Sequence, residues 1–450
     1  MTRRSAPVRP PVVLTIAGSD SGGGAGIQAD LKTIEAGGAF GTSAITSVTA
    51  QNTRGVQGTH GLPIPEIEAQ IDAVLSDFDV AAVKTGMLGR TEVVETVVEY
   101  ADRLPNLVVD PVMVAASGDR LLEPAAESAY EDLVAAATLV TPNADEAEVL
   151  TGVEVTDVDA AREAGETLVG MGADAALVKG GHVPGDDVVD VLVTEETTHS
   201  FRHDRVDTTA THGSGCTLSS AVATRLAHGD DLPSAVGDGV SLLAAAVRYG
   251  VDVGEGPGSV HHLVEARNEA ARGETVEAVE RVVGLLVDRA PRALVPADGT
   301  NVAGTTPYAE SPRDVAAVEG GIGRTRDGLR PNRGVRFGAG GRLASLVLAV
   351  REVAPATRFA LECRRSPALD RALAEFDEPV VELAAEVGDT DGTDRPLARR
   401  VSDATADDDA PPVAVVDPTR DETGVTLLAP DAGSLVDRTE RLLDAVEDRD

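Results

Sequence analysis

A glycine-rich turn that opens an apolar helix carries the strongest chemical signal in this sequence. Residues 211–229, THGSGCTLSSAVATRLAHG, place Gly213, Ser214, Gly215 and Cys216 at a predicted helix N-terminus. Their backbone amides converge there with the positive end of the helix dipole, so the turn could hold the charge of a transferred phosphoryl group. We expect the same dipole to lower the pKa of the Cys216 thiol and make it a proton acceptor. The structural alternative is a small buried cysteine at a helix start.

A second glycine-rich turn lies near the N-terminus. Residues 17–33, AGSDSGGGAGIQADLKT, carry glycines at positions 22, 23, 24 and 26 between a predicted strand and a predicted helix. Such a turn lets the backbone approach a ligand, although it is not a Walker A loop and fits the dinucleotide fingerprint poorly. A tight structural turn is the alternative. Asp30, one helical turn further on, could accept hydrogen bonds from a substrate hydroxyl or amine, unless it is an exposed helical aspartate.

Several polar residues follow predicted buried strands. Asn143 and Glu146 stand in TPNADEAEVLTG, residues 141–152, at a strand end where ligands of open α/β sheets collect. They could hold Mg²⁺ directly or through water, and equally they could form a helix capping box. Asp110, in VVDPVM, could join the water shell of the metal, and Lys179, in LVKGGH, could pair with a nucleotide phosphate.

The charge balance of the chain is extreme. Among its 450 residues, 75 acidic and 39 basic side chains give a net charge of −36. Such a surface repels nucleic acid and anionic membranes, and it is typical of a halophilic protein, because about 1 M salt shortens the screening length to about 3 Å. Only three basic residues are lysine, at positions 32, 84 and 179. We expect these three to lie where a compact ammonium group is needed.

Hydrophobic periodicity predicts an α/β fold for the first 250 residues. Near-continuous apolar runs, among them VVLTIAG, AITSVTAQN, VAAVKTGM and AALVKGG, alternate with amphipathic helical stretches. Buried strands between helices indicate a mainly parallel sheet covered on both faces. Residues 187–207 alternate and turn, which predicts an antiparallel hairpin at the sheet edge.

The chain divides in two at a glycine- and proline-rich stretch. We predict a first domain over residues 1–262, a linker helix over 263–277 and a second α/β domain over 278–450. No apolar run is long enough to span a membrane and no signal peptide is recognised, so the expected compartment is the cytoplasm. Two cysteines, Cys216 and Cys363, do not make a disulfide framework.

The first 260 residues resemble the hydroxymethylpyrimidine/phosphomethylpyrimidine kinases of thiamine biosynthesis, which belong to the ribokinase superfamily. The motifs AGSDSGGGAGIQADLKT, SVTAQNT, VKTGMLG, VVDPVM, TPNADEAE, VKGGH and HGSGCTLSSAVA occur in family order. The resemblance implies a ribokinase-like three-layer sandwich, ATP and Mg²⁺ as cofactors, and a homodimer. It implies that Cys216 replaces the aspartate base of sugar kinases. It also implies pyrimidine contacts from Gly18, Asp30, Gln51 and Met87, nucleotide contacts from Thr141, Asn143 and Lys179, and metal contacts from Asp110 and Glu146.

In such a kinase one site would act twice, first on the pyrimidine alcohol and then on its monophosphate. Positioning and electrostatics would supply most of the catalysis. Two other hypotheses remain open for the whole chain. One is a pyridoxal kinase-like vitamin kinase, and the other is a regulatory protein that senses thiamine phosphate. The sequence shows no helix-turn-helix region or basic surface for DNA, which weighs against the second.

The C-terminal half resembles, more weakly, the archaeal thiamine-phosphate synthase domain that is found fused to this kinase. The stretches ALVPADGTNVAG, SPRDVAAVEGGIG and GVRFGAGGRLASLVLA follow its layout. The family arginine of Gly-Arg-Ile is Gly321 here, and Gly340, Arg342 and Ser345 replace its serine, histidine and last arginine. A Gly-Lys-Glu-Pro stretch expected near residue 424 is missing. An active synthase, a domain that binds thiamine phosphate as a sensor, and a vestige are the three interpretations.

Overall fold

The chain folds into two compact units that divide between Ala266 and Arg267. Each unit is described below by itself. The computed structural model describes residues 4, 6–113, 127–384, 397–406, 410–419 and 424–447.

The first unit is built on an eight-stranded sheet and a two-stranded ribbon. Its strands are β1 Val12–Ala17, β2 Phe40–Ile45, β3 Ser47–Asn52, β4 Gly55–Gly61, β5 Val80–Thr85, β6 Leu107–Val109, β7 Leu139–Val140, β8 Ala175–Val178, β9 Asp187–Thr194 and β10 Thr198–Asp204. The sheet order is β10-β9-β8-β7-β6-β5-β1-β2. The pairs from β2 to β8 are parallel, and the β9–β10 hairpin adds antiparallel strands at the predicted edge.

Helices cover both faces of this sheet, which gives three layers. They are α1 Gly26–Ala36, α2 Ile64–Asp77, α3 Thr91–Tyr100, α4 Glu127–Ala135, α5 Ala144–Thr151, α6 Val158–Gly170, α7 Ser214–His228 and α8 Leu232–Arg248. Strand side chains alternate between the two faces: Leu14 packs in the core under α2, α3 and α4, and Val13 packs in the core under α1, α7 and α8. The predicted mainly parallel sheet between two helix layers is confirmed.

One predicted strand is wrong in a way that matters for the site. Residues 44–52 were expected to form a single buried strand, but the chain leaves the sheet at Thr46, whose amide and hydroxyl donate to the carbonyl oxygens of Ala17 and Met87. Beyond this point β3 pairs with β4 as a separate antiparallel ribbon. Burial alternates along β3, because only one face of the ribbon is covered.

The second unit has a seven-stranded sheet in the order β15-β12-β11-β16-β19-β18-β17 and a β13–β14 ribbon. Its strands are β11 Val302–Thr305, β12 Val315–Val318, β13 Ile322–Arg324, β14 Leu329–Pro331, β15 Val335–Phe337, β16 Phe359–Cys363, β17 Val380–Glu382, β18 Ala414–Val416 and β19 Val425–Ala429. Among the described residues of this unit, the strands pair in antiparallel fashion except β17 with β18, which are parallel.

Helices also cover both faces of this second sheet. The elements are α9 Val264–Ala270, α10 Arg272–Arg289, α11 Gly341–Val353, α12 Pro367–Leu373, α13 Leu397–Thr405 and α14 Ala432–Glu447. Helices α10, α12 and α14 pack in one core, and α11 and α13 pack in the other.

Two expectations about this half of the chain differ from the structure. The predicted linker helix is two helices, and α10 belongs to the second unit because Val279, Val282 and Leu286 are buried in its core. The sequence of residues 388–412, GDTDGTDRPLARRVSDATADDDAPP, predicts an exposed loop or a loosely packed helix. Within the described residues of that stretch, α13 buries Arg400 and Val401, and residues 388–396 lie outside the described part of the chain.

Within the described ranges, no helix combines the length and the apolar character that crossing a membrane would require.

Because each unit has its own apolar cores, we expect fragments 1–270 and 264–450 to fold separately. Both fragments retain α9, which spans the division. In about 1 M KCl, where surface repulsion is screened, each fragment should melt in one cooperative transition within about 4 °C of its transition in the whole chain. Differential scanning calorimetry measures these transitions. An unfolded fragment would show that the two units depend on each other.

Candidate active site

A cavity of about 500 Å³ opens at the carboxyl ends of the parallel strands in the first unit. This size suits a small-molecule ligand. Residues just beyond five strands line it: Gly18 after β1, Met87 after β5, Asp110 after β6, Asn143 after β7 and Lys179 after β8. Among the predicted site residues, those lining the cavity are Gly18, Gln51, Met87, Asp110, Asn143, Glu146, Lys179, Gly213, Ser214, Gly215 and Cys216.

The turn that begins α7 forms another wall of this cavity. Gly213 has φ +84°, a left-handed conformation that favours glycine, and a Cβ atom here would overlap the carbonyl oxygen of Gly24. A Cβ atom on Gly215 would lie 3.3 Å from Asp110 Oδ2 and 3.4 Å from Lys179 Nζ. The two glycines therefore bring the helix N-terminus against the charged strand ends.

The Cys216 thiol differs from the expectation in its acidity. Burial raises its pKa to about 11, and although the nearby Lys84 ammonium lowers it, the carboxylates of Asp30 and Asp110 raise it further. The prediction of a lowered pKa at the helix N-terminus is therefore wrong. Loss of hydration outweighs the helix dipole, and Cys216 is a protonated thiol at neutral pH.

Asp30 does not line the cavity, so its predicted contact with substrate is corrected. Its side chain is fully buried, and it accepts hydrogen bonds from Lys84 Nζ at 2.8 and 3.0 Å. The hydroxyls of Thr15, at 2.6 Å, and Ser220, at 2.9 Å, also donate to it. Asp30 is thus the counterion of a buried lysine.

Lys84 itself reaches the cavity, although its side chain is fully buried. Burial alone would lower its pKa, but the carboxylates of Asp30 and Asp110 raise it well above the ordinary value. Lys84 is therefore a fixed positive charge beside Cys216. Lys84 is a cavity residue that was not assigned from the sequence, although the scarcity of lysine favours a functional position for it.

Thr141 is also corrected as a nucleotide contact. It is fully buried, and its hydroxyl lies 3.3 Å from Asp110 Oδ1, as a donor. The hydroxyl therefore orients the Asp110 carboxylate and does not face the cavity.

Asp110, Glu146 and Lys179 form a charged cluster at the strand ends. Lys179 Nζ lies 3.0 Å from Asp110 Oδ1 and 4.0 Å from Glu146 Oε2. Burial raises the pKa of Glu146 to about 7, although the Lys179 charge opposes the rise. Burial would lower the pKa of Lys179, but these two carboxylates raise it. The cluster holds its charges in place before a ligand arrives.

The capping-box interpretation of Asn143 and Glu146 is confirmed, since each side chain accepts from the other's backbone amide at 2.9 Å. Glu146 still lines the cavity with Asp110. Among the described residues no group of three or more histidine, cysteine, aspartate or glutamate side chains is placed to hold a metal. Mg²⁺ commonly binds to one or two carboxylates together with substrate phosphates, and this pair fits that requirement.

The first glycine-rich turn encloses a carboxylate of its own chain. The amides of Gly22, Gly24 and Ala25 donate to Asp20 at 2.8, 2.9 and 2.8 Å. The structural-turn alternative is therefore correct for these amides, which do not point at a ligand. Lys32 donates to the Gly23 carbonyl oxygen at 2.6 Å.

The three lysines are thus all placed in or beside this site, with Lys84 and Lys179 on the cavity wall and Lys32 on the glycine turn. Two further cavity residues, Asp20 and His212, were not assigned from the sequence. His212 Nε2 lies 3.3 Å from Asp20 Oδ2 and 3.2 Å from Gln51 Nε2. Both residues stand inside the quoted motifs, next to the glycines, which is the signal that could have found them.

The second unit has its own charged cluster. Asp417, which is buried, pairs with Arg342 and also lies 3.3 Å from Arg400. Gly320 and Gly321 have φ angles of +77° and +73°, so an arginine at position 321 would require a conformation that side-chain residues rarely adopt. The turn at this point lacks the cation of the synthase family, and Arg342 is already neutralised.

Comparison with known proteins identifies the first unit. Residues 20–261, more than half of the chain, match the sequence pattern described as phosphomethylpyrimidine kinase. The chain belongs to the phosphomethylpyrimidine kinase family. Residues 278–441 match the pattern described as thiamine-phosphate synthase ThiN, which confirms the predicted fusion.

Individual relatives agree with this assignment. The hydroxymethylpyrimidine/phosphomethylpyrimidine kinase of Streptomyces coelicolor is 50% identical over 58% of this chain and 98% of its own length. The bifunctional thiamine biosynthesis protein ThiED of Geobacter sulfurreducens is 46% identical over 59% of this chain and 55% of its own length. The pyridoxal kinase of Staphylococcus aureus with ADP is 32% identical, with a TM-score of 0.55, over 58% of this chain and 96% of its own. The predicted ribokinase-like fold is confirmed.

The buried pair generates a stability prediction. Lys84→Met leaves the Asp30 carboxylate buried without its cation, so the free energy of unfolding should fall by about 3–5 kcal/mol. Lys32→Met, at an exposed hydrogen bond, is the matched control and should cost less than about 1 kcal/mol. Adding Asp30→Asn to Lys84→Met should recover part of the loss. Denaturant unfolding in about 1 M KCl measures all three. Equal losses in the two lysine variants would contradict the assigned role of the pair.

Proposed function

We propose that this protein is an ATP-dependent kinase that phosphorylates 4-amino-5-hydroxymethyl-2-methylpyrimidine and then its monophosphate, which supplies the pyrimidine diphosphate for thiamine diphosphate biosynthesis. The observation that carries the proposal is the meeting of the Gly213–Cys216 turn with the Asp110, Glu146 and Lys179 cluster in one cavity. A phosphoryl-transfer site needs this combination of amides, cation and carboxylates.

The cavity offers distinct surfaces to the two substrates. Gln51 and Met87 lie on the wall that also holds Gly18, where a Cβ atom would lie 2.5 Å from Met87 Cε and 2.7 Å from Ser47 Oγ. We assign this wall to the pyrimidine. Lys179 and the Gly213–Cys216 amides would receive the phosphates of ATP. Asp110 and Glu146 would hold Mg²⁺, which supplies charge neutralisation for the transferred phosphate when bound.

Cys216 would accept the proton of the substrate hydroxyl as its oxygen bonds to phosphorus. The bond between phosphorus and the oxygen that bridges to ADP breaks in the same step, and the proton moves to the Cys216 sulfur. With a thiol pKa of about 11 the reactive thiolate is scarce at neutral pH. Lys84 and the amides of α7 lower the cost of forming this thiolate. A loose transition state demands little of the base, so positioning contributes most of the rate.

Two further features of the proposal concern the setting of the enzyme. The acidic surface fits a halophilic, cytoplasmic enzyme, because molar salt screens its self-repulsion. A homodimer is proposed from the family resemblance.

Pyridoxal is proposed as a side substrate, because the similar S. aureus structure is described as a pyridoxal kinase. Turnover of pyridoxal beside the aminopyrimidine at equal concentration tests this point.

The base assignment predicts a large catalytic loss. Cys216→Ala should lower kcat by about 10²- to 10⁴-fold, the usual effect of removing a general base, while ATP affinity is kept. Cys216→Asp should recover part of the activity, since aspartate is the base in related sugar kinases.

The kcat/KM of the unaltered protein should rise with pH toward about 11, because raising the pH creates the thiolate.

The control for Cys216 is Cys363→Ala, which changes the other cysteine, buried in the second unit. Its kcat should be unaffected. Near-normal turnover by Cys216→Ala would remove the thiol from the mechanism.

For the second unit we propose a domain that binds thiamine phosphate without rapid synthesis. The coupling reaction expels pyrophosphate and needs fixed cations to hold that anion. Gly321 and Ser345 supply none, and Asp417 neutralises Arg342.

This proposal is tested with fragment 264–450. We expect titration calorimetry to detect binding of thiamine phosphate, and a coupling assay on the same fragment to show little product. Arg342→Gln should weaken the binding, because the guanidinium of Arg342 has N–H donors left for a phosphate beside its contact with Asp417. Rapid product formation would contradict the proposal, and absence of both binding and product would leave a vestigial domain.

A further inference from the structure

The carboxamide of Gln51 lies in a hydrogen-bond network whose polarity can be worked out. Its Nε2 atom is placed 3.2 Å from His212 Nε2 and its Oε1 atom 3.4 Å from Thr49 Oγ1, and the partners on both sides favour the opposite orientation, with the two atoms exchanged. Nitrogen and oxygen of a glutamine side chain are nearly indistinguishable by shape, so the partners decide which end is which. The inference below rests on the proposed function of this cavity.

His212 decides the first end. Its Nε2 atom also lies 3.3 Å from Asp20 Oδ2. Backbone amides and His212 together hold the pKa of Asp20 below its usual value although burial raises it, so Asp20 is an ionised carboxylate that only accepts. Nε2 must therefore carry the proton. The single hydrogen on Nε2 is shared between Asp20 and Gln51, and a protonated ring nitrogen has no lone pair to accept from an NH₂ group, so the Gln51 atom beside it should be the oxygen.

Thr49 decides the second end independently. A hydroxyl has one proton, and that of Thr49 is donated to the Ser19 carbonyl oxygen at 2.8 Å. Thr49 Oγ1 is then an acceptor toward Gln51. The end of the Gln51 carboxamide that lies near Thr49 should therefore be the NH₂ group, which agrees with the conclusion from His212.

The network is held rigidly. Gln51 exchanges two hydrogen bonds with Ser21, donating its amide at 2.8 Å and accepting at its carbonyl oxygen at 2.6 Å. The His212 ring packs on Gly24, where a Cβ atom would lie 2.7 Å from Cδ2. These contacts restrain the glutamine backbone and one side of the histidine ring.

We propose that His212, Asp20 and Thr49 are positioning residues that lock the Gln51 carboxamide with its oxygen toward His212 and its NH₂ toward Thr49, and so select a 4-aminopyrimidine edge. The second lone pair of that oxygen and the second hydrogen of that NH₂ are left for a ligand. Together they fit a ligand edge with a donor beside an acceptor, which an exocyclic amine next to a ring nitrogen supplies.

The lock matters because an unrestrained glutamine is not selective. A 4-oxopyrimidine presents the reverse order, a carbonyl oxygen beside a ring N–H, and a free carboxamide would turn over to match it. The ring cannot turn over instead, because its hydroxymethyl group must face Cys216. A locked carboxamide should therefore prefer the amino compound to its 4-oxo analogue by about 10- to 100-fold, the effect of unpaired buried groups.

The test compares two replacements of similar shape. His212→Gln keeps an N–H donor that can serve Asp20 and Gln51, and His212→Met does not. Binding of the hydroxymethyl aminopyrimidine and of its 4-oxo analogue to the full-length protein is measured by titration calorimetry in about 1 M KCl. We expect the preference to persist in the His212→Gln variant, to fall in His212→Met, where Thr49 alone orients the carboxamide, and to fall to about onefold when Thr49→Val is added to His212→Met. The kcat for the amino compound should change much less than its KM.

Controls separate this inference from folding and from the proposed function. His228→Met alters an exposed histidine at the end of α7 and should leave the preference intact. If His212→Met loses ATP affinity as well, Thr49→Val against Thr49→Ser makes the same comparison from the other end of the carboxamide.

Three results would overturn the inference. A preference that survives both His212→Met and Thr49→Val would show that the carboxamide is not locked. An equal loss in His212→Gln and His212→Met would show that the ring shape, and not the N–H, is what matters. If the unaltered protein fails to bind the aminopyrimidine at all, the proposed function fails, and this inference fails with it.

Discussion

A single buried carboxylate joins the elements that form the cavity. Asp30, on α1, takes hydrogen bonds from Thr15 of β1, Lys84 of β5 and Ser220 of α7. These contacts tie two adjacent strands, β1 and β5, to the helix that begins at the glycine turn. An unpaired carboxylate in this interior would be strongly unfavourable, so the four groups are held together. The position of the α7 N-terminus against the strand ends follows from this one interaction.

The sequence was sufficient for the fold of the first unit and for most of the cavity wall. Apolar runs and amphipathic spacing predict strands such as β1 and helices such as α7, and parallel strands bring their carboxyl ends to one edge. The ribbon of β3 and β4 was missed because β4, GVQGTHG, has three glycines and no apolar run. Its pairing depends on partners that a local pattern does not contain.

The site errors have a common physical origin. Asp30 was taken as a ligand because a carboxylate near a glycine turn favours chemistry, yet Ile27, Asp30 and Ile34 share the buried face of α1. Its partner Lys84 is 54 residues away, and nothing local pairs them. The pKa of Cys216 was misjudged for a related reason: the helix dipole can be inferred from sequence, but loss of hydration is known only from the packed structure.

The ribbon that carries Thr49 and Gln51 stands outside the eight-stranded sheet, while the residues assigned to phosphate and metal follow strands of that sheet. Under the proposed function, part of ring recognition is therefore built on a separate piece of the scaffold, while Gly18 and Met87 still follow β1 and β5 of the sheet. Substitutions in this hairpin of some fifteen residues would then alter the choice of ring while leaving unchanged the strand register that sets the charged cluster.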